Sequence, residues 1–463
     1  MLKDMRAFLR LLDEKGDLVH ITRPVSPEFG VAAGIRKTSD IKGPALWFDH
    51  VEGARMPVVG GLYAHRRRAL WGLETTAEGF FARYMHGLSH PIPPRVVADA
   101  PCQEVVLTGP DADLSLLPIC THNRLDAAPF VTMGITIANH PEYGPNASIS
   151  RMQLFDEQTL GIMSVPPQQI GMYFQEFEAR GASLPLAVAI GNDPYTTLAS
   201  QVPGGIYLDE FAVAGGWLGE PIDLVRCATI DVLVPATSEI VLEGELVCGE
   251  RRLEGPFGEF PGTYTPPVER PIFRLKAITH RRDPIYLAGL TGLPTTDNHV
   301  MKHLAYEAMI YDRIRQICPT VRDVCLTDGG GGNHLAISIR PTFVTQARDV
   351  MLAAFTAAKV RPKLVVVVDD DIDVRDPAQV EWAMAFRMQA DRDVVIFERG
   401  VGQILDPSAP APRVGALMGI DATQPYGQSY GELTVVPGAA EFEIPGWTDG
   451  REWRPASVLA TLR

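Results

Sequence analysis

The chain opens with Met5, Phe8, Leu9 and Leu12 at a spacing that puts all four on one face of a helix, and the pattern stops at Gly16 before a short apolar run. This predicts an amphipathic helix followed by a strand. From Ala45 to Gly61, and again from Val105 to Leu107, short apolar runs alternate with Gly and Pro, the texture of strands joined by turns. Phe130 to Leu154 and Leu184 to Ile190 continue it. Many of the 38 prolines lie in the first two thirds, where they cut the chain into pieces too short for long helices. After about Pro294 the texture changes. His299 to Ile317 reads as a helix, and strands then alternate with helices, which predicts an α/β region. Leu364 to Asp371 is apolar up to its acidic end, as in a buried central strand, and Pro377 to Gln389 reads as a helix with Pro in its first turn.

At 463 residues the chain calls for two or three domains. Its 46% hydrophobic and 21% charged residues are the balance of a folded protein with a large core. A net charge of −14 argues against a nucleic-acid partner, because such binding depends on clustered cations that neutralise phosphates. The one basic run, His65 to Arg68, reads as a solvated or ion-pairing segment. Six cysteines without a Cys-x-x-Cys pair fit reduced thiols in the cytoplasm and neither a zinc knuckle nor a disulfide framework. The charged amino terminus is unlike a signal or transit peptide, and no apolar stretch is long enough to span a membrane.

Gly329 to Gly332 lacks the Lys-Ser/Thr ending of a phosphate loop and reads as a turn before the strand that starts at His334. Asp369, Asp370, Asp371 and Asp373 either hold Mg²⁺ or end a strand and cap the next helix. Three further segments are chemically complementary: Asn146 to Asp156, Leu208 to Gly216 and Glu254 to Gly262. They supply oxygen ligands, one guanidinium and two carboxylates, the last on a glycine-rich loop that can approach a ligand closely. By spacing alone, solvated loop glutamates are the favoured reading.

These segments, with GPALWFDHVEG, LPICTHNRLDAAPFVTMGITI, EGPFGEFPG and VDDDIDVRDPAQVEWA in that order, resemble the UbiD-like family of prenylated-flavin-dependent (de)carboxylases, over most of the chain. The resemblance implies an α/β (α+β) multidomain fold: an α+β region over 1–115, a split β-barrel flavin-binding domain over 116–298 and an α/β oligomerisation domain over 299–463. It implies non-oxidative, reversible decarboxylation of an aromatic, heteroaromatic or α,β-unsaturated acid, by a homodimer or higher homo-oligomer whose cofactor, prenylated FMN, is supplied by a separate flavin prenyltransferase. A non-catalytic or accessory flavin-binding subunit of a larger carboxylase is the alternative. An ordinary flavin oxidoreductase ranks behind both, since no Gly-x-Gly-x-x-Gly follows a strand.

Residue by residue, the resemblance assigns catalysis to Arg151, Glu254 and Glu259. It assigns cofactor binding to Asn146, Ala147, Ser148, Ile149, Ser150, Arg151, Gln168, Gln169, Pro203 and Glu210. Mn²⁺ or Mg²⁺ falls to Asn146, Gln169 and Glu210, with Gln169 standing where relatives usually have His, an exchange that gives an all-oxygen set suited to hard cations. K⁺ falls to Ala199, Ser200, Val202 and Glu210. The family commonly has a phosphate-binding Lys where this chain has Leu417, and Arg413 is the nearby cation that could substitute for it. Asn298, His299 and His303 are assigned to the substrate, with packing or capping of the following helix as the equal alternative.

Overall fold

The structure of the protein, a computed structural model, describes residues 1–357, 361–401, 405–409, 414–431, 434, 436 and 437. The chain divides into two units, Met1–Thr423 and Gln424–Arg463. The first carries every strand and helix of the described residues. In the second, Gln428 N donates to the Pro425 carbonyl at 2.9 Å in a turn.

The opening helix is Met5–Glu14, and Met5, Phe8, Leu9 and Leu12 are its buried residues. Asp4 caps it by accepting from Ala7 N at 2.7 Å. The strand Leu18–Ile21 follows and starts a four-stranded sheet with Ala45–Phe48, Val58–Gly60 and Tyr286–Ala288, in that order. The last of these strands returns from far along the chain, so this sheet is closed only once the middle of the sequence has been laid down. The basic run lies against it and is internal: Arg67 pairs with Asp17 at 2.6 Å, Arg68 with Asp17 at 3.2 Å, and Arg66 with Glu307 at 2.5 Å.

The middle of the chain builds an antiparallel nine-stranded sheet. Its path runs Phe130–Val131, Met152–Asp156, Thr159–Ile162, Val268–His280, Ile240–Glu254, Leu184–Ile190, Gly134–His140, Gly144–Ile149, and Val105–Thr108 pairs with Val268–His280 off that path. Gly144–Ile149 is therefore an edge strand, paired on one side only, with Ile135 opposite Ile149 and Ala138 opposite Asn146. Helices Gln169–Ala179 and Glu210–Leu218 pack beside this end of the sheet.

Helix Asp297–Arg315 leads into a five-stranded sheet ordered Val321–Leu326, His334–Ile339, Leu364–Asp369, Val414–Ala422, Val394–Val401. The apolar run predicted as a central strand is the middle one, with Val365 to Val368 buried. Helix Pro377–Arg387 has Pro at its start, as expected, and Asp376 caps it through Ala378 N at 2.9 Å. The acidic run is occupied by arginines. Asp369 and Asp371 accept from Arg387 at 2.8 Å or less, and Asp370 accepts from Arg340 at 2.8 Å. The glycine run is the turn expected, Asp328–Gly330 followed by Gly331 and Gly332 with positive φ. The architecture is mixed α/β.

Candidate functional site

Arg151 lies where the edge strand Gly144–Ile149 gives way to Met152–Asp156, and its guanidinium is gripped from two directions. Nε and Nη2 donate to the two carboxylate oxygens of Glu254 at 2.8 and 2.9 Å, and Nη1 donates to Glu259 Oε1. Planar fork meets planar carboxylate on the first side, the strongest form of charge-assisted pairing. Glu254 is 1% exposed and Glu259 12%, so the first is buried anchorage while the second keeps a face toward solvent or a ligand. The ring of Phe257 backs the guanidinium at 4.8 Å and itself packs on Phe130 at 4.4 Å.

The loop between the two glutamates is shaped by its glycines. Gly255, at φ 94°, donates its N–H to Gln153 Oε1 at 2.7 Å, tying the loop to the strand that follows Arg151. Gly258 donates to Asp126 Oδ1 at 2.8 Å, and a Cβ there would lie 2.4 Å from Asn123 Nδ2, so any larger residue would have to displace the Asn123 side chain. Burial pushes the Asp126 carboxyl up, against the hydrogen bonds it accepts from Gly258 and Asn123. The LPICTHNRLD segment thus earns its place by buttressing the Glu254 to Gly262 loop.

At the other end of the edge strand, Asn146, Gln169 and Glu210 converge. Asn146 Nδ2 donates to Gln169 Oε1 at 3.0 Å and to Glu210 Oε1 at 3.1 Å, and Ala147 N donates to Glu210 Oε2 at 3.0 Å. Glu210 begins helix Glu210–Leu218 while Asp209 caps it through Phe211 N and Ala212 N. Burial raises the Glu210 carboxyl to about 8, an environment lacking the positive charge a buried carboxylate calls for. The donor set of one carboxylate and two amides fits a hard divalent cation once the Asn146 amide, whose Nδ2 faces both partners here, is turned to present its oxygen. Among the described residues there is no cluster of three or more His, Cys, Asp or Glu that competes for a metal.

The remaining assigned residues are placed as follows. Ala147, Ser148 and Ile149 lie on the edge strand, and Ser150, buried, accepts from Thr136 Oγ1 at 3.3 Å. Gln168 is exposed at the start of helix Gln169–Ala179 and accepts from Val165 N at 3.0 Å. Ala199, Ser200 and Val202 form the buried carboxyl end of helix Pro194–Ala199, where Val202 N donates to the Ala199 carbonyl at 3.0 Å, and Pro203 is half-buried beyond them. Leu417 is buried in the core of the five-stranded sheet opposite Phe397, a setting that suits an isobutyl group and not an ammonium. Arg413 lies outside the described residues.

Asn298, His299 and His303 sit in the first turns of helix Asp297–Arg315 and meet the Glu259 loop through Phe260. His299 stacks on the Phe260 ring at 4.0 Å, donates from Nε2 to the Phe260 carbonyl at 2.7 Å and accepts at Nδ1 from Thr296 Oγ1 at 2.8 Å. Asn298 Nδ2 donates to Thr291 Oγ1 at 3.2 Å. His303 is buried with its Nε2 unpartnered. Burial holds both imidazoles neutral, His299 down to about 3 and His303 to about 4. Sequence reasoning passed over Phe260 and Lys302. The four-residue step from Asn298 to Lys302 on a helix was the signal for the second. The first lies within the Glu254 to Gly262 segment, but no period or charge in the sequence marked its ring.

Comparison with known proteins agrees over nearly the whole chain. Residues 9–87, 95–294 and 299–422 match the N-terminal, Rift-related and C-terminal domain profiles described as 3-octaprenyl-4-hydroxybenzoate carboxy-lyase, UbiD. An uncharacterized protein of Archaeoglobus fulgidus is 34% identical over 448 residues, 92% of either chain. Among solved structures, the UbiD-class enzyme HmfF from Pelotomaculum thermopropionicum in complex with FMN superimposes with a TM-score of 0.90 at 38% identity, covering 95% of this chain and 99% of that one. Vanillic acid decarboxylase of Sedimentibacter hydroxybenzoicus gives 0.86 at 29% identity, covering 95% and 97%. The apo 3,4-dihydroxybenzoic acid decarboxylase of Klebsiella pneumoniae gives 0.86 at 26% identity, covering 95% and 99%.

Proposed function

The chain belongs to the UbiD family of carboxy-lyases, and from that premise we propose that it catalyses the non-oxidative, reversible decarboxylation of an aromatic, heteroaromatic or α,β-unsaturated carboxylic acid with prenylated FMN. The observation that carries this reading is Arg151 held between Glu254 and Glu259 at one end of an edge strand whose other end gathers Asn146, Gln169 and Glu210. Asn146, Gln169 and Glu210 would hold Mn²⁺ or Mg²⁺ at the phosphate end of prenylated FMN, and Arg151 with its two glutamates would face the reactive ring, where the cofactor would supply the electron sink. The carbonyl-rich end of helix Pro194–Ala199 is the place for K⁺.

Loss of CO₂ from an sp² carbon leaves an electron pair with no neighbouring carbonyl to accept it, and prenylated FMN, when bound, supplies the electron sink that side chains lack. The side chains do the rest. Glu254 fixes the plane of the Arg151 guanidinium, which then orients the substrate carboxylate and offsets its charge. Glu259, the less buried carboxyl, delivers the proton that replaces CO₂ on carbon, at its Oε atoms, and takes it back in the reverse direction. Phe257 and Phe130 keep water from the far side of Arg151. The intact ionic trio counts against an accessory, non-catalytic role.

The apolar helical surface of the carboxy-terminal region, including Trp382 and Phe386, suits a homodimer or larger homo-oligomer, and six free cysteines suit a reducing cytoplasm. No helix of the described residues is long and apolar enough to cross a membrane. Co-expression with a flavin prenyltransferase, followed by an absorption spectrum and a screen of aromatic, heteroaromatic and α,β-unsaturated acids, tests the reading. A loaded protein that releases CO₂ from none of them overturns it.

A further inference from the structure

The ring of Phe260, next in sequence to Glu259, is surrounded by three nitrogenous side chains of one helix. His299 stacks on it at 4.0 Å, His303 meets it edge-on at 6.3 Å, and Lys302 Nζ lies 5.1 Å from its centroid. The three differ in what they have left to give. His299 uses both ring nitrogens, on Phe260 and Thr296. His303 keeps a buried, unpartnered Nε2. Lys302 is half-buried, and its contact with the Phe260 ring is its only polar or ionic engagement: among the described residues it donates no hydrogen bond and meets no carboxylate.

An ammonium partly withdrawn from water without an anion beside it is unfavourable, and desolvation lowers the basicity of Lys302 accordingly. The acids nearest this helix face are already committed. Glu307 is paired with Arg66 and Arg375, and Asp328 with Lys42. Lys302 is therefore left without an acid of its own among the described residues. Lys302 lies one turn beyond Asn298 on the same face, and helical side chains lean toward the amino terminus, so its ammonium is carried over the first turn. That turn follows directly on the Thr291 to Thr296 segment and abuts the Glu259 loop.

We propose that Lys302 is a specificity-determining residue that binds a second anionic group of the substrate, and that this group is a carboxylate carried on the ring away from the one that leaves. The inference rests on the decarboxylase reading and narrows its substrate class to diacids. A phenol offers similar geometry but ionises near pH ~10, so at neutral pH it brings no charge to compensate the ammonium, whereas a carboxylate already does. His303 Nε2 supplies the neighbouring neutral position for the second oxygen or a bound water.

Binding separates this from turnover. Cofactor-loaded wild type, Lys302→Met and Lys302→Arg are titrated calorimetrically with benzene-1,4-dicarboxylate, 4-hydroxybenzoate and benzoate. The expected result is a wild-type preference for the diacid over benzoate of at least about tenfold, a fall of that ratio to about one in Lys302→Met, and its return in Lys302→Arg. Wild type without the preference overturns the proposal. So does a Lys302→Met variant that weakens benzoate and diacid alike, or a Lys302-dependent preference for 4-hydroxybenzoate equal to that for the diacid. Because no CO₂ is measured, failure of the decarboxylase reading would show in the acid screen and not here.

Discussion

Arg151 and Glu254 face each other through two parallel hydrogen bonds of 2.8 and 2.9 Å, and the carboxylate on the far side of that pair is sealed from solvent. The fork fixes the guanidinium in plane and register, which a single contact to Glu259 would not do. Removing the anchor leaves the guanidinium with Glu259 alone and strands its Nε and Nη2 donors close to the core. Glu254→Ala is expected to cost about 3 to 5 kcal/mol of stability and to abolish CO₂ release. Urea unfolding and a CO₂ assay on the loaded variant check both, and a variant as stable as wild type would show that the pair contributes no net stability.

Glu259 has a different exposure and a different expected phenotype. Glu259→Gln keeps an oxygen acceptor for Arg151 and leaves Glu254 to balance its charge, so the variant is expected to unfold within about 1.5 kcal/mol of wild type. Turnover is expected to fall by about 10² to 10⁴, the worth of a placed proton donor. Steady-state decarboxylation alongside thermal unfolding separates the two effects, and near wild-type turnover removes Glu259 from the proton step.

The Asn146, Gln169 and Glu210 cluster predicts metal dependence that can be read without catalysis. Mn²⁺ added with FMN is expected to raise the melting temperature of wild type by mass action, since it binds only the folded site. Glu210→Gln is expected to lose that shift, having given up the one anionic ligand. Mn²⁺ titration followed by electron paramagnetic resonance gives the affinities, and equal binding by both proteins would place the ion elsewhere.

His299 predicts an acid limb in stability. Burial holds its imidazole down to about 3, with neighbouring cationic groups adding to the effect, whereas in the unfolded chain it titrates near pH ~6.5. The unfolded state therefore takes up the proton first. Its stabilising effect is complete above pH ~6.5 and is lost as pH falls toward 3, at up to ~1.4 kcal/mol per pH unit. Urea unfolding at pH 7, 5.5 and 4.5 should show a shallower decline in His299→Gln, which keeps a donor for the Phe260 carbonyl. An unchanged slope would mean that His299 does not remain neutral in the folded state.

Local order was legible in the sequence because it obeys rules of period and capping. The one-faced helix Met5–Glu14, the buried strand Leu364–Asp369 and the Pro-initiated helix Pro377–Arg387 each follow from apolar spacing and terminal residues that act within a few positions of one another. The segments bearing Arg151, Glu210, Glu254 and Glu259 were visible as chemistry, and their resemblance to a family supplied their roles. What the linear chain withheld is who meets whom. Arg66 to Arg68 pair with Glu307 and Asp17, and the acidic run near Asp370 is matched by Arg340 and Arg387, because long-range charge compensation has no sequence period. Phe260 lies between Glu259 and helix Asp297–Arg315 only after the sheet and the helix have packed. The unpaired state of Lys302 is likewise a property of its surroundings: a lysine reads the same in any sequence, and only the folded chain decides whether an anion is waiting for it.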